Sequence, residues 1–290
     1  MKKFKILMPC YNDWSSVFKL LNNIDTEISK IDGEFSVVIV NDGSNEKMSN
    51  IKPSYKNIKK VEIINMKINQ GHTRSNATGL KYLSKKENFD FLILMDGDGE
   101  DRPEEIKLLV EKALKNNNSV VAKRIKRSEG IIFSILYNVH KIITIIFTGK
   151  NMNFGHYSCL KKSDIDIISN KKSLWGNFSG TLKKFIYKLD SIPCIRGSRY
   201  VQPSKMSLIK LIIHSFSILG VFKIQVLLRS LFFLIILFLV SPNFYGIIFG
   251  TLIVIFAISV FIVSTRESKE GLLNSEKNID NVQTIYTKRL

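Results

Sequence analysis

The chain is poor in the residues that staple small folds together. It has three cysteines, Cys10, Cys159 and Cys194. The number is odd and the spacings match no zinc motif, so they read as reduced thiols of a cytosolic compartment. No internal repeat or low-complexity tract is present. The basic start, Met1-Lys2-Lys3-Phe4-Lys5, is followed only by Ile6-Leu7-Met8 before Pro9, too short an apolar run for a signal peptide. Acidic residues are missing from Ser191 to Arg266, where Arg196, Arg199, Lys205, Lys210, Lys223, Arg229 and Arg266 all occur. A formal net charge of +18 beside 45% hydrophobic residues points to work against an anionic surface, either nucleic acid or membrane. The apolar residues gather near the C-terminus, which favours the membrane and argues against nucleic acid.

What the chain does have is one abrupt transition. Leu92-Ile93-Leu94-Met95 runs straight into Asp96-Gly97-Asp98-Gly99-Glu100-Asp101-Arg102-Pro103, the pattern of a buried strand breaking into a loop. Gly97 and Gly99 permit tight turns, which allows Asp96, Asp98 and Glu100 to converge. Hard oxygen ligands favour Mg²⁺ or Mn²⁺, and Mg²⁺ completes its shell with waters and substrate phosphates. Taken alone, the run reads first as an acidic surface loop. It does not continue with EF-hand spacing.

The rest of the first half alternates between two periodicities. Short apolar runs at Phe4–Met8, Phe35–Val40, Val61–Asn65, Phe89–Met95 and Val120–Ala122 predict strands. Helical spacing joins Val17, Leu20, Leu21 and Ile24, continues through Leu80 and Leu83, and recurs at Ile106, Leu109, Val110 and Leu114 behind Pro103. Such alternation predicts an α/β fold with a mostly parallel sheet and helices on both faces. Polar clusters then follow strands one, two and four, and the basic Lys123-Arg124-Ile125-Lys126-Arg127 follows strand five. All would lie on the rim where open α/β sheets bind ligands, and that convergence decides for a site over a surface loop.

At these residues the chain resembles a family 2 glycosyltransferase of the GT-A fold, near the polyprenyl-phosphate sugar transferases of the dolichol-phosphate mannose synthase type. The matching pieces are Pro9-Cys10-Tyr11-Asn12-Asp13, Val40-Asn41-Asp42-Gly43-Ser44, Asn69-Gln70-Gly71 with Ala77 and Gly79, Asp96-Gly97-Asp98-Gly99-Glu100 with Pro103-Glu104-Glu105, Arg196-Gly197-Ser198-Arg199-Tyr200 and Ser204-Lys205-Met206. The resemblance implies that Pro9, Tyr11 and Asp13 hold the nucleotide's base and ribose, with Asp42 beside Val40 at the base. It implies that Asp96 and Asp98, joined by Gly97, meet the sugar and diphosphate. It makes Asp98 the surer ligand of Mg²⁺ or Mn²⁺, with Glu100 and Asp96 beside it. Arg124 would contact the diphosphate, and Arg199 with Lys205 would close over the phosphates. Asp13 stands where Glu is commoner, Asn41 where Asp is, and Gln202-Pro203 replaces a small-Gly pair. The implied reaction is inverting transfer of a sugar from a nucleotide-diphosphate donor to a polyprenyl phosphate, catalysed with Asp96, Asp98 and Arg124. The alternative is transfer to a hydroxyl of a lipid-linked saccharide.

Ile131 to Phe147 is apolar but interrupted by Ser134, Asn138, His140, Lys141 and Thr144, which predicts a helix in the membrane interface or packed on the domain rather than a span. His156 reads as a phosphate ligand or a turn cap. Trp175 and Phe178 read as packing residues. The expected organisation is a catalytic domain over 1–205, an amphipathic helix over 206–223, a transmembrane hairpin over 224–264 and a loosely ordered tail over 265–290. The turn Ser241-Pro242-Asn243 carries no Lys or Arg while both flanks do, which leaves the catalytic domain and C-terminus on the cytoplasmic side of the inner membrane. The expected partners are the donor, the lipid acceptor and the bilayer. A homo-oligomer is compatible with this reading.

Overall fold

The computed structural model describes residues 1–48, 54–86, 88–126, 131–201 and 208–288. Among them, eight strands form one sheet: β1 (Lys3–Cys10), β2 (Glu34–Asn41), β3 (Ile58–Met66), β4 (Phe91–Leu94), β5 (Ser119–Lys126), β6 (Phe154–Lys161), β7 (Leu189–Ile195) and β8 (Ile279–Thr287). Their spatial order is β7-β5-β6-β4-β1-β2-β3-β8. β1 runs parallel to β2 and β4, β2 to β3, and β5 to β7. β6 lies antiparallel between β4 and β5, and β8 antiparallel on β3.

The period-two alternation of β1 sorts its side chains to opposite faces. Ile6 and Met8 join a core with α1 (Trp14–Ile28) and, further along the chain, α3 (Ile106–Asn116). Leu7 joins a second core with α2 (His72–Ser84), α5 (Lys162–Ile168) and α6 (Phe178–Phe185). Because β1, β2 and β4 are parallel and adjacent, their carboxyl ends share one rim. The expected mostly parallel sheet, with helices on both faces, is therefore the observed one.

The apolar helices form a cluster of their own. α4 (Ile131–Thr148), α7 (Leu208–Val221), α8 (Lys223–Val240) and α9 (Phe244–Ser264) pack on one another around Leu219, Val226 and Val260. The cluster is joined to the second core where α7 packs on α6 (Gly180 against Val221). Phe147 of α4 meets Phe233 of α8 and Phe256 of α9. α8 and α9 are long and apolar enough to cross a membrane. Their outer surfaces expose Phe238 (74%), Val240 (78%) and Phe244 (70%), a surface suited to lipid rather than water. Arg229, the charge inside α8, donates to the carbonyls of Ile145 and Ile146 at 3.3 and 2.7 Å. A cation at the C-terminal end of α4 is where the helix dipole favours it.

The tail corrects the sequence reading. The expected loosely ordered tail is, over residues 265–288, no appendage: after the short helix α10 (Lys269–Leu273), β8 completes the sheet. The sheet domain is thus built from both ends of the chain rather than from residues 1–205 alone. An exposed β3 edge would leave a row of unpaired amides, and β8 covers it. Tyr286 stands edge-on to Tyr55 at 5.1 Å and donates its hydroxyl to the Tyr55 carbonyl at 2.6 Å.

Candidate active site

The first two rim loops are stitched to each other. The Asp42 N–H donates to the Cys10 carbonyl at 2.8 Å. Asn12, at φ 50°, accepts on Oδ1 from the N–H of Asn45 at 2.8 Å and donates its own N–H to Ser44 Oγ at 2.9 Å. Asn tolerates this left-handed backbone better than most residues. Tyr11 is exposed on the rim and Pro9 is half-buried. Asp13 occupies the N-cap position of α1 without making a cap hydrogen bond, and its buried Oδ1 has no hydrogen-bond partner. Such an orphaned carboxylate oxygen fits a group that receives a ligand's hydroxyl. Val40 is fully buried against Gly79, so its side chain belongs to the core.

Asp42 does structural work. Its oxygens accept from Gln70 N–H at 2.9 Å and Gly71 N–H at 2.8 Å, fixing the turn that opens α2. Burial pushes its carboxyl above the usual range, and these amides pull it back.

The acidic loop follows β4. Its path is set by close backbone approaches: a Cβ on Gly97 would lie 2.6 Å from the Pro9 carbonyl oxygen, and one on Gly99, at φ 89°, would enter the Tyr200 ring. The segment after β7 lies along this loop. Gly197 N–H donates to the Glu100 carbonyl at 2.8 Å, and Tyr200 N–H to the Asp98 carbonyl at 3.0 Å. Arg199 Nε donates to Asp98 Oδ2 at 2.9 Å, and Arg196 pairs with Glu100. Tyr200 accepts on its hydroxyl from Asn23 of α1 at 2.8 Å, which anchors the segment. Asp96, Gly97, Asp98, Glu100 and Arg199 thus lie together on the rim, with Arg199 paired to Asp98. Lys205 lies outside the described residues.

Two further groups sit beneath the loop. Asp101 accepts the Asp96 N–H at 2.9 Å and faces Arg124 across 3.8 Å. Burial first, then the Asp96 carboxylate, push the Asp101 carboxyl up to about 7. Arg124 reaches the rim from β5 and lies against Gly155 of β6. Asp101 was missed as a candidate because nothing in the sequence separates it from its acidic neighbours.

Among the described residues no three His, Cys, Asp or Glu side chains converge as a ready-made metal cage. The donors that are present, carboxylates at Asp96, Asp98 and Glu100, are hard oxygens of the kind that hold Mg²⁺ or Mn²⁺ through one or two protein ligands plus substrate phosphates. The residues fit such an ion.

A mostly parallel sheet with a carboxylate loop at its carboxyl rim, crossed by arginines, is the arrangement in which open α/β sheets bind ligands. Residues 5–168 match the family model described as glycosyl transferase family 2, and the chain belongs to that family. It is 24% identical over 218 residues to the undecaprenyl-phosphate 4-deoxy-4-formamido-L-arabinose transferase of Klebsiella pneumoniae, covering 73% of this chain and 65% of that one. It is likewise 24% identical to the protein of that name from Photorhabdus laumondii, covering 56% and 49%. The chain therefore spans less than two thirds of the length of these relatives. Among solved structures, mannosyl-3-phosphoglycerate synthase from Rubrobacter xylanophilus superposes with a TM-score of 0.53 at 11% identity, over 76% of this chain and 72% of that one. Glucosyl-3-phosphoglycerate synthase from Mycobacterium tuberculosis, solved with Mn²⁺ and UDP-glucose, gives 0.51 at 10% identity, over 78% and 80%. These likenesses establish the GT-A fold.

Proposed function

We propose that this chain transfers a sugar from a nucleotide-diphosphate donor to a polyprenyl phosphate at the membrane surface. One observation carries the reading. The acidic loop lies against residues 196–201, which precede α7 in the chain, and α7 packs against the apolar pair α8 and α9. In this reading Tyr11 and Asp13 seat the nucleoside, and Arg124, Arg199 and Lys205 hold the phosphates. A divalent ion on Asp98, flanked by Asp96 and Glu100, would neutralise charge on the departing diphosphate.

A phosphate acceptor is already anionic near neutral pH, so the protein's task is to align it for in-line attack with inversion rather than to remove a proton. The names of the undecaprenyl-phosphate transferase relatives support a lipid phosphate. α8 and α9 form the proposed transmembrane hairpin, with the sheet domain and C-terminus on the cytoplasmic side of the inner membrane. The test supplies nucleotide sugars with undecaprenyl phosphate and identifies the labelled lipid by mass. One sugar on a monophosphate supports the reading. A lengthened lipid-linked oligosaccharide would replace it with transfer to a hydroxyl.

A further inference from the structure

The chain has four histidines, His72, His140, His156 and His214, drawn from α2, α4, β6 and α7. The rings of His72 and His156 meet edge to face at 5.1 Å, and His156 stacks on Phe178 at 5.4 Å. Asn177, next to Phe178, donates to Ser217 Oγ at 3.0 Å, and Ser217 Oγ donates to the His214 carbonyl at 2.6 Å. These bonds dock the His214 turn of α7 beside the same spot. His156 is 8% exposed and its Nε2 has no hydrogen-bond partner. A buried ring nitrogen left unpaired is destabilising unless something else meets it.

The charges around this spot do not balance. Burial, then His72, His214 and Arg124, hold His156 well below the ordinary imidazole range. Burial, then His72, His140 and Arg124, push His214 down to about 4, and only Asp96 acts in the opposite sense. Basic groups thus face one another, with carboxylates only at their margins: Asp96 toward His214, Asp42 toward His72 and Asp101 toward Arg124. His72 is also the first residue of α2, and a helix N-terminus adds positive potential. It is exposed, so the cluster opens to the outside.

Resting on the proposed transfer to a lipid phosphate, we propose that His72, His156 and His214, at the N-terminus of α2, form a site for a phosphate monoester that seats the acceptor beside Asp96 and Arg124. The site lies on the side of α7, which meets the apolar hairpin; His72 alone borders the β2 loop, where Asp42 holds the Gln70 and Gly71 amides, while His156 and His214 lie on β6 and α7. Its orphaned nitrogen supplies the hydrogen bond, and a dianion supplies the missing negative charge.

The test uses the full chain in detergent with its histidine rings labelled with ¹⁵N. Geranyl phosphate should shift the His156 and His214 ring nitrogens saturably, whereas UDP with Mg²⁺ should leave them in place. Absence of a shift with geranyl phosphate, or the same shift with UDP and Mg²⁺ alone, would overturn the site. His156→Asn and His214→Asn should raise the KM for the lipid phosphate about tenfold and leave the donor KM unchanged. If the buried variants fail to fold, the exposed His72→Asn carries the same measurement. Full transfer with an unchanged acceptor KM in the variants would sink the site while the proposed activity stands. Saturable shifts in a protein that transfers nothing to polyprenyl phosphate would do the reverse.

Discussion

Arg199 donates through Nε to Asp98 Oδ2 at 2.9 Å, while the neighbouring Tyr200 N–H donates to the Asp98 carbonyl at 3.0 Å. The strand-7 segment therefore grips both the side chain and the backbone of the central carboxylate. Asp98→Asn keeps the shape and removes the charge. Transfer should fall at least about a hundredfold, while membrane sedimentation is unchanged. Turnover by Asp98→Ala in the presence of a chelator would remove both this residue and the metal ion from the mechanism.

Gly99 tests the backbone of the same loop. A methyl group there would meet the Tyr200 ring at a φ of 89°. Gly99→Ala should cost about 1–2 kcal/mol from the left-handed backbone alone, with a further loss as Tyr200 moves off the loop. A lowered melting temperature together with a raised donor KM is the expected pair of results. An unchanged melt would mean that the loop is not packed as described.

Much of this was legible in the sequence, for identifiable reasons. β1, β2 and β4 are apolar on both faces, so their runs stand out, and the polar clusters at their ends mark the rim directly. β6 hid because its buried positions include His156 and Ser158, which break the apolar pattern. β8 hid because it is an edge strand with most of its residues exposed, so it reads as a polar tail. The Asp98–Arg199 pairing spans about a hundred residues; the family resemblance brought both residues to the site but set Arg199 over the phosphates, not on the carboxylate. The histidine cluster left no sequence signal, since its members are scattered over about half the chain.

The thiols give a chemical check. Cys10, Cys159 and Cys194 are buried, and burial raises all three thiols, Cys10 to about 12. A raised thiol stays protonated at pH 8 and is a poor nucleophile. Iodoacetamide should leave the native protein unlabelled by mass spectrometry and add three groups once it is unfolded. Rapid native labelling would contradict the packing around β1, β6 and β7.

The inert thiols also permit a topology test. Because β8 pairs with β3 in the same sheet as β1, the intervening segment must cross a bilayer an even number of times. A cysteine introduced at Asn243 should react with an impermeant maleimide from the side opposite to one introduced at Lys288. Labelling of both from the same side would rule out α8 and α9 as spans.

The tail strand also contributes stability. Tyr286→Ala removes the hydroxyl bond to Tyr55 and the edge-on ring contact, and it should destabilise the sheet by about 2–3 kcal/mol. Thermal unfolding, with release of the C-terminal segment to limited proteolysis, would report it. An unaltered melt would show that β8 is dispensable.

A body moored by one line can swivel, whereas one moored fore and aft holds its heading. The polypeptide leaves the sheet domain for the apolar pair and comes back to lie along β3, so the proposed enzyme would ride the bilayer on two such moorings. The carboxylate rim would then keep a constant height and tilt above the lipid, and an acceptor travelling in the leaflet would need to search only two dimensions to meet a donor waiting at a fixed berth.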